Sequence, residues 1–169
     1  MRKLRAASTI ILPLSILIIG CGKTPRPDLT FHIELTPENI TADVGDTLTL
    51  TGSINSVENL FAISFDLVFD STVVNFQSLS LPQDNILGEN SISFSNEIEG
   101  GVSISLGRTQ SAGNDNISAS GVLFAADFIA AGVGTTEIQY QNVYIIDENG
   151  DENADLGAVS LRGAEIIVR

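Results

Sequence analysis

Tryptophan is absent from this chain, cysteine, histidine and methionine occur once each, and only eight side chains are basic. A single cysteine excludes an internal disulfide, so stability has to come from a packed core. A single histidine excludes a metal site built on a histidine pair and leaves no imidazole network for hydrolysis. Without tryptophan, the largest platform on which a sugar ring stacks is missing. Against 21 acidic residues the eight basic ones leave a net charge of −13, which repels nucleic acid and favours a basic or cation-bearing partner.

What is there begins with a leader. Arg2, Lys3 and Arg5 precede an apolar run at 10–19, the charge-then-apolar order of an export signal and too short for a membrane span. The run ends in Leu17, Ile18, Ile19, Gly20 and Cys21, which resembles a bacterial lipobox. That resemblance implies cleavage before Cys21 and lipidation of its thiol, with each buried methylene contributing about 0.8 kcal/mol to membrane attachment. Gly22 after the cysteine favours the outer membrane or cell surface. Cleavage leaves 169 − 20 = 149 residues and a charge of 5 − 21 = −16. The chain divides into a signal (1–20), a Pro-containing spacer (21–29) and one domain (30–169).

From residue 30 the pattern is that of strands. Phe61, Ile63, Phe65, Leu67 and Phe69 fall at every second position, which puts them on one face of an extended strand with Ala62, Ser64, Asp66 and Val68 on the other. Alternation also marks 31–35, 47–54, 91–95, 102–106, 135–140, 143–146 and 164–168, and 122–131 is apolar on both phases except for Asp127, as in a strand buried on two faces. The runs SISFS (91–95) and VSISL (102–106) read as a hairpin with an outer face of serines. Residues 56–59, 77–90 and 110–120 read as connections, and Gln141 and Asn142 as a bulge. His32, on the outward phase beside Glu34, is expected to face solvent. About nine short strands predict an all-β fold, a two-sheet sandwich.

Several runs then occur in one order: Val44, Gly45, Asp46, Thr47 and Leu48; Phe69, Asp70, Ser71, Thr72 and Val73; Ser120, Gly121, Val122, Leu123 and Phe124 through Phe128; a Gly-rich turn at 132–136; and 147–150 near the end. Together, over 30–169, they resemble a cohesin domain. The resemblance implies a nine-stranded jelly-roll β-sandwich similar to carbohydrate-binding modules, no catalysis, and the holding of a dockerin module of another protein in extracellular or polysaccharide-degrading assemblies that are often calcium-linked. Aligned on Phe69 and Asp70, Ala62 and Ser64 stand where cellulosomal scaffold cohesins of the best-known type carry asparagine and aspartate. The Asp-Ser-Thr-Val run at 70–73 is more similar to the second type, or to stand-alone cohesin-like domains with no established partner. The partner contacts expected on this side of the sheet are Ala62, Ser64 and Asp66 with Ser93, Ser103 and Ser105, a face that binds mainly through shape and hydrogen bonds.

Two further patterns carry chemistry. Asp147, Asn149, Asp151, Asn153 and Asp155 place oxygen ligands at every second position, as a calcium loop does. Glu152 and Ala158 stand where an EF-hand needs glycine and glutamate, so that motif is absent, and the same residues also read as an Asn149-Gly150 hairpin turn with an acidic rim. The alternative function is a module for surface polysaccharide, stacking sugar on Tyr140 and Tyr144 if they share a face, which a bulge between them would prevent. No serine or carboxylate pair has a recognisable activating partner, so an enzyme is not expected.

Overall fold

The computed structural model describes residues 31–109, 117–152 and 159–169. The described chain forms eleven strands: β1 (His32–Thr36), β2 (Asn39–Ala42), β3 (Thr47–Leu60), β4 (Ala62–Val68), β5 (Val74–Ser80), β6 (Ser91–Ile98), β7 (Gly101–Arg108), β8 (Ile117–Ala130), β9 (Gly134–Ile146), β10 (Ser160–Arg162) and β11 (Ala164–Val168). They build a five-stranded sheet in the order β10-β1-β3-β8-β5 and a six-stranded sheet in the order β2-β11-β9-β4-β7-β6. No helix occurs among the described residues, so the predicted all-β sandwich is the observed one.

Period-two burial explains why the sheets face each other. Ile63, Phe65 and Leu67 of β4 are buried, as are their register partners Leu106, Ile104 and Val102 of β7. Across the interior, Leu48, Leu50 and Ile54 of β3 and Ala126, Phe128 and Ala130 of β8 close the other side. Phe65 joins the layers: its ring lies 5.3 Å from Phe124 of β8 and 5.2 Å, edge-on, from Tyr140 of β9. Such aromatic pairs add about 0.5–1.5 kcal/mol each beyond their burial.

Several sequence expectations need correction. Phe61 and Phe69, at the ends of the β4 stripe, are only half-buried. Residues 56–59 are not a connection: β3 continues through them, because Ser56 and Asn59 take positive φ (56° each) and their N–H groups donate to the hydroxyls of Ser120 (2.8 Å) and Ser118 (3.4 Å). Irregular backbone is tolerated there because side chains replace the missing ladder partners. β5 runs on to Ser80, which shortens the predicted 77–90 connection, and 117–120 belong to β8. The two pieces around 141–142 form one strand, β9. His32 is buried rather than solvent-facing: it is 4% exposed, flanked in register by Asn55 and Ser160, with Nε2 3.5 Å from Glu34. The sequence alternation gave its phase, but a phase says nothing about which strands flank a residue.

Candidate functional site

The outer face of β9, β4, β7 and β6 collects most of the residues singled out as partner contacts. Strand register arranges it in cross-strand rows. Ser64 pairs with Tyr144 on one side and Ser105 on the other, and Ser105 pairs with Phe94, so Tyr144, Ser64, Ser105 and Phe94 form one row across four strands. On one side of it lies the row Ile146, Ala62, Gly107, Ile92; on the other lies Gln141, Asp66, Ser103, Asn96. Facing positions in a ladder project to the same side, so each row is a line of neighbours on one surface.

Five of the six expected contacts therefore come together: Ala62, Ser64, Asp66, Ser103 and Ser105. The hydroxyls of Ser64 and Ser105 are 3.1 Å apart, and the amide of Asn142 donates to Asp66 Oδ2 at 2.7 Å. Ser93 does not join them. It pairs with Leu106, whose side chain is buried, so it points to the opposite side of the sheet. Ile92 and Phe94 take the outer face instead, 42% and 67% exposed. The reason is the turn: Ile98 pairs with Gly101, leaving a two-residue loop of Glu99 and Gly100, the latter at φ 73°. That loop length matches odd positions of β6 with even positions of β7, and a one-residue difference in register moves every side chain to the other face. The Gly100-Gly101 pair was the signal that would have revealed it.

The tyrosines separate in the same way. Tyr140 is buried against Phe65, its hydroxyl donates to the Glu34 carbonyl at 3.4 Å, and burial, with the charge of Glu34 adding to it, pushes its ionisation far above the ordinary phenol range. Tyr144 is 50% exposed on the outer face. The bulge, with Asn142 at φ 49° and a register shift between Ser64 and Asp66, turns the two apart, so no two-tyrosine sugar platform forms.

In the acidic loop, Asp147 Oδ1 accepts the N–H groups of Asn149 (2.9 Å) and Asp151 (3.0 Å). Partial desolvation raises the Asp147 pKa, but these bonds outweigh it and hold the carboxyl below its ordinary value. The Asn149 amide points its donor, not its oxygen, at Asp147 Oδ2, 3.4 Å away. This is the geometry of a self-capped turn. Asn153 and Asp155 lie outside the described residues, as does Cys21, and no three or more metal-binding side chains gather among the described residues. A cleft of about 480 Å³ lies where β10 leads into β11; Glu38, Glu137 and Glu165 line it, with Tyr140 and Leu161.

The sequence matches the family model described as the cohesin domain over residues 33–161. No curated protein matches the chain by sequence. Among solved structures it is similar to a non-cellulosomal cohesin from the archaeon Archaeoglobus fulgidus, with a TM-score of 0.62 and 15% identity over 83% of this chain and 90% of that one. It is similar to the cohesin of a type I cohesin–dockerin complex from Clostridium thermocellum, with a TM-score of 0.64 and 17% identity over 83% and 99%. A type II cohesin dyad from Acetivibrio cellulolyticus matches with a TM-score of 0.62 and 16% identity over 80% of this chain and 47% of that one.

Proposed function

The chain belongs to the cohesin family of non-catalytic binding modules, and from that premise we propose that it docks a dockerin-type protein module on the outer face of β9, β4, β7 and β6. The observation that carries this reading is the composition of the face. Along its three cross-strand rows the side chains are apolar or neutral except for Asp66, and Ile92, Phe94 and Tyr144 are exposed among them. Burying such side chains, with a polar rim around them, is what a stable protein interface needs. The Clostridium thermocellum relative was solved with its dockerin, which supports the same class of partner here. Ala62 and Ser64, with the 70–73 run, keep the reading nearer the second cohesin type. In the same proposal the module is exported and held at the outer membrane or cell surface by acyl chains on Cys21.

Calorimetry of the full chain in detergent against a panel of purified dockerin modules tests the docking. Saturable binding to at least one dockerin is expected. No dockerin bound, with a positive glycan array, would replace protein docking with the polysaccharide reading.

A further inference from the structure

We propose that two copies of this chain pair through the free edge of β6, antiparallel across a two-fold axis, in the register that sets Phe94 opposite Phe94 of the partner subunit. β6 is the last strand of the six-stranded sheet, and among the described residues it bonds on one side alone, to β7, in a ladder unbroken from Ser91 to Ile98. The other three sheet edges are blunted. β2 and β10 are four and three residues long, and the β5 ladder slips between Phe76 and Ser78. β6 has eight residues, no proline, no lysine and no bulge, and its one charge, Glu97, lies near its end. Long, regular, apolar edges of this kind are the ones that pair with another chain.

Ladder parity identifies the backbone groups that face away from β7. The Thr109 N–H donates to the Asn90 carbonyl at 3.1 Å, one step beyond the Ser91–Arg108 pair. Bonded and non-bonded pairs alternate in an antiparallel ladder, so Ile92, Phe94, Asn96 and Ile98 turn their backbone groups toward β7, and Ser91, Ser93, Ser95 and Glu97 turn theirs outward. Two of the outward groups have local partners: the Ser91 N–H donates to the Gly88 carbonyl and the Asn96 amide to the Glu97 carbonyl. In the proposed register Ser93 and the partner's Ser95 exchange both backbone bonds, their symmetry mates do the same, and the Glu97 N–H donates to the carbonyl of the partner's Ser91. The two Phe94 residues form a non-bonded pair, with Cα atoms about 4.5 Å apart and side chains at their closest. Ile92 lies diagonally beside the partner's Phe94, so the exposed apolar side chains of β6 cover one another.

The occupant is a second copy because the strand complements itself. Seven of its eight residues are neutral, which gives a basic foreign segment little to hold, and the two-fold register sets apolar against apolar on one face and serine against serine on the other. Glu97 falls opposite the partner's Ser91. The two Glu97 carboxylates are then about 20 Å apart along the strands, beyond the screening length of about 8 Å at physiological salt. Each copy spends its one long edge, so the pair closes and does not grow into a filament. Two such edges bury less than the roughly 1,200–2,000 Å² of a stable interface, and the net charge of −13 opposes approach, so the dimer is weak, reversible and strengthened by salt. It leaves the outer face of β9, β4 and β7 open and does not depend on the docking reading.

The test uses the full chain with Cys21→Ser, in detergent, so that acyl chains cannot bring copies together and an introduced thiol is the only one. Sedimentation equilibrium is expected to show a monomer–dimer equilibrium whose dimer fraction rises with protein concentration and as salt goes from about 0.01 M to about 0.15 M. Under mild oxidation, Phe94→Cys is expected to form a disulfide dimer about tenfold or more faster than Ile92→Cys. The two copies of residue 92 stand four residues, about 13 Å, apart in this register, and a disulfide needs Cα atoms within about 7 Å. Ser95→Pro removes an outward N–H and no bond to β7, so it should abolish the dimer with little change in melting temperature and none in the binding of any dockerin. A chain that is monomeric at every concentration and salt, equal crosslinking of the two cysteine variants, or a dimer that survives Ser95→Pro would each overturn the proposal. A monomeric wild type whose dockerin binding is lost in Ser95→Pro would replace the second copy with a strand of the partner on the same edge.

Discussion

The carboxylate of Asp70 accepts the Thr72 hydroxyl at 2.6 Å and the Thr72 N–H at 2.8 Å, while the Asp70 N–H donates to Thr136 Oγ1 at 2.9 Å. One residue thereby closes the turn after β4 and ties it to the start of β9. The Thr72 hydroxyl and then its N–H favour the charged form, so the Asp70 carboxyl is held below its ordinary value. A carboxyl with a depressed folded-state pKa contributes stability above its unfolded value, near 4, and loses it as pH falls through the folded one. Asp70→Asn should therefore melt below wild type at pH 7, and the gap should close as the pH falls from about 5 to about 2. A gap independent of pH in thermal melts would remove the carboxylate from this account. The Asp-Ser-Thr run at 70–72 was legible as a turn in the sequence. The contact with Thr136, 66 positions away, was not, because local turn chemistry carries no information about distant partners.

At the scale of elements, the longest pairing is β3 with β8, and its irregularities are set by particular residues. Gly52 and Phe124 are register partners, and the Phe124 ring lies over the glycine where any Cβ would collide with it. The register shifts immediately after, between Gly52 and Ser53. A glycine inside a strand often marks such a close approach. Gly52→Ala should then cost about 1–3 kcal/mol by overpacking, read as a lower denaturation midpoint at unchanged slope. A neutral effect would mean that Phe124 has another place to go. β6 shows the opposite relation between sequence and element. Its alternation correctly announced a strand, yet the stripe of Ile92 and Phe94 faces outward, because the two-residue turn at Glu99 and Gly100 governs register and β6 sits at the sheet edge. An edge strand with exposed apolar side chains invites association, and here that exposure coincides with the proposed docking face.

For the whole molecule, the net charge of −13 makes copies repel one another. The lipid attachment proposed for Cys21 has its own test. Cys21→Ser should shift the protein from the detergent-rich to the aqueous phase on detergent partitioning. High salt should not release wild type, because acyl burial is insensitive to screening while a charge-based attachment is not. Wild type in the aqueous phase would sink the lipid anchor.

Alternation of apolar and polar residues determined that this chain folds as stacked sheets, and it placed Ile63, Phe65 and Leu67 in the interior correctly, since side chains at every second position must share a face. The runs that resemble a cohesin were enough to name the family. Only the tertiary structure decided which stripes meet water: Tyr140 and Tyr144 fell on opposite sides through one bulge, Ser93 turned inward through one short loop, and His32 was closed in by its neighbours. Periodicity fixes relative phase within a strand. Absolute facing depends on bulges, turn lengths and neighbouring strands, and these depend on contacts between residues far apart in the chain.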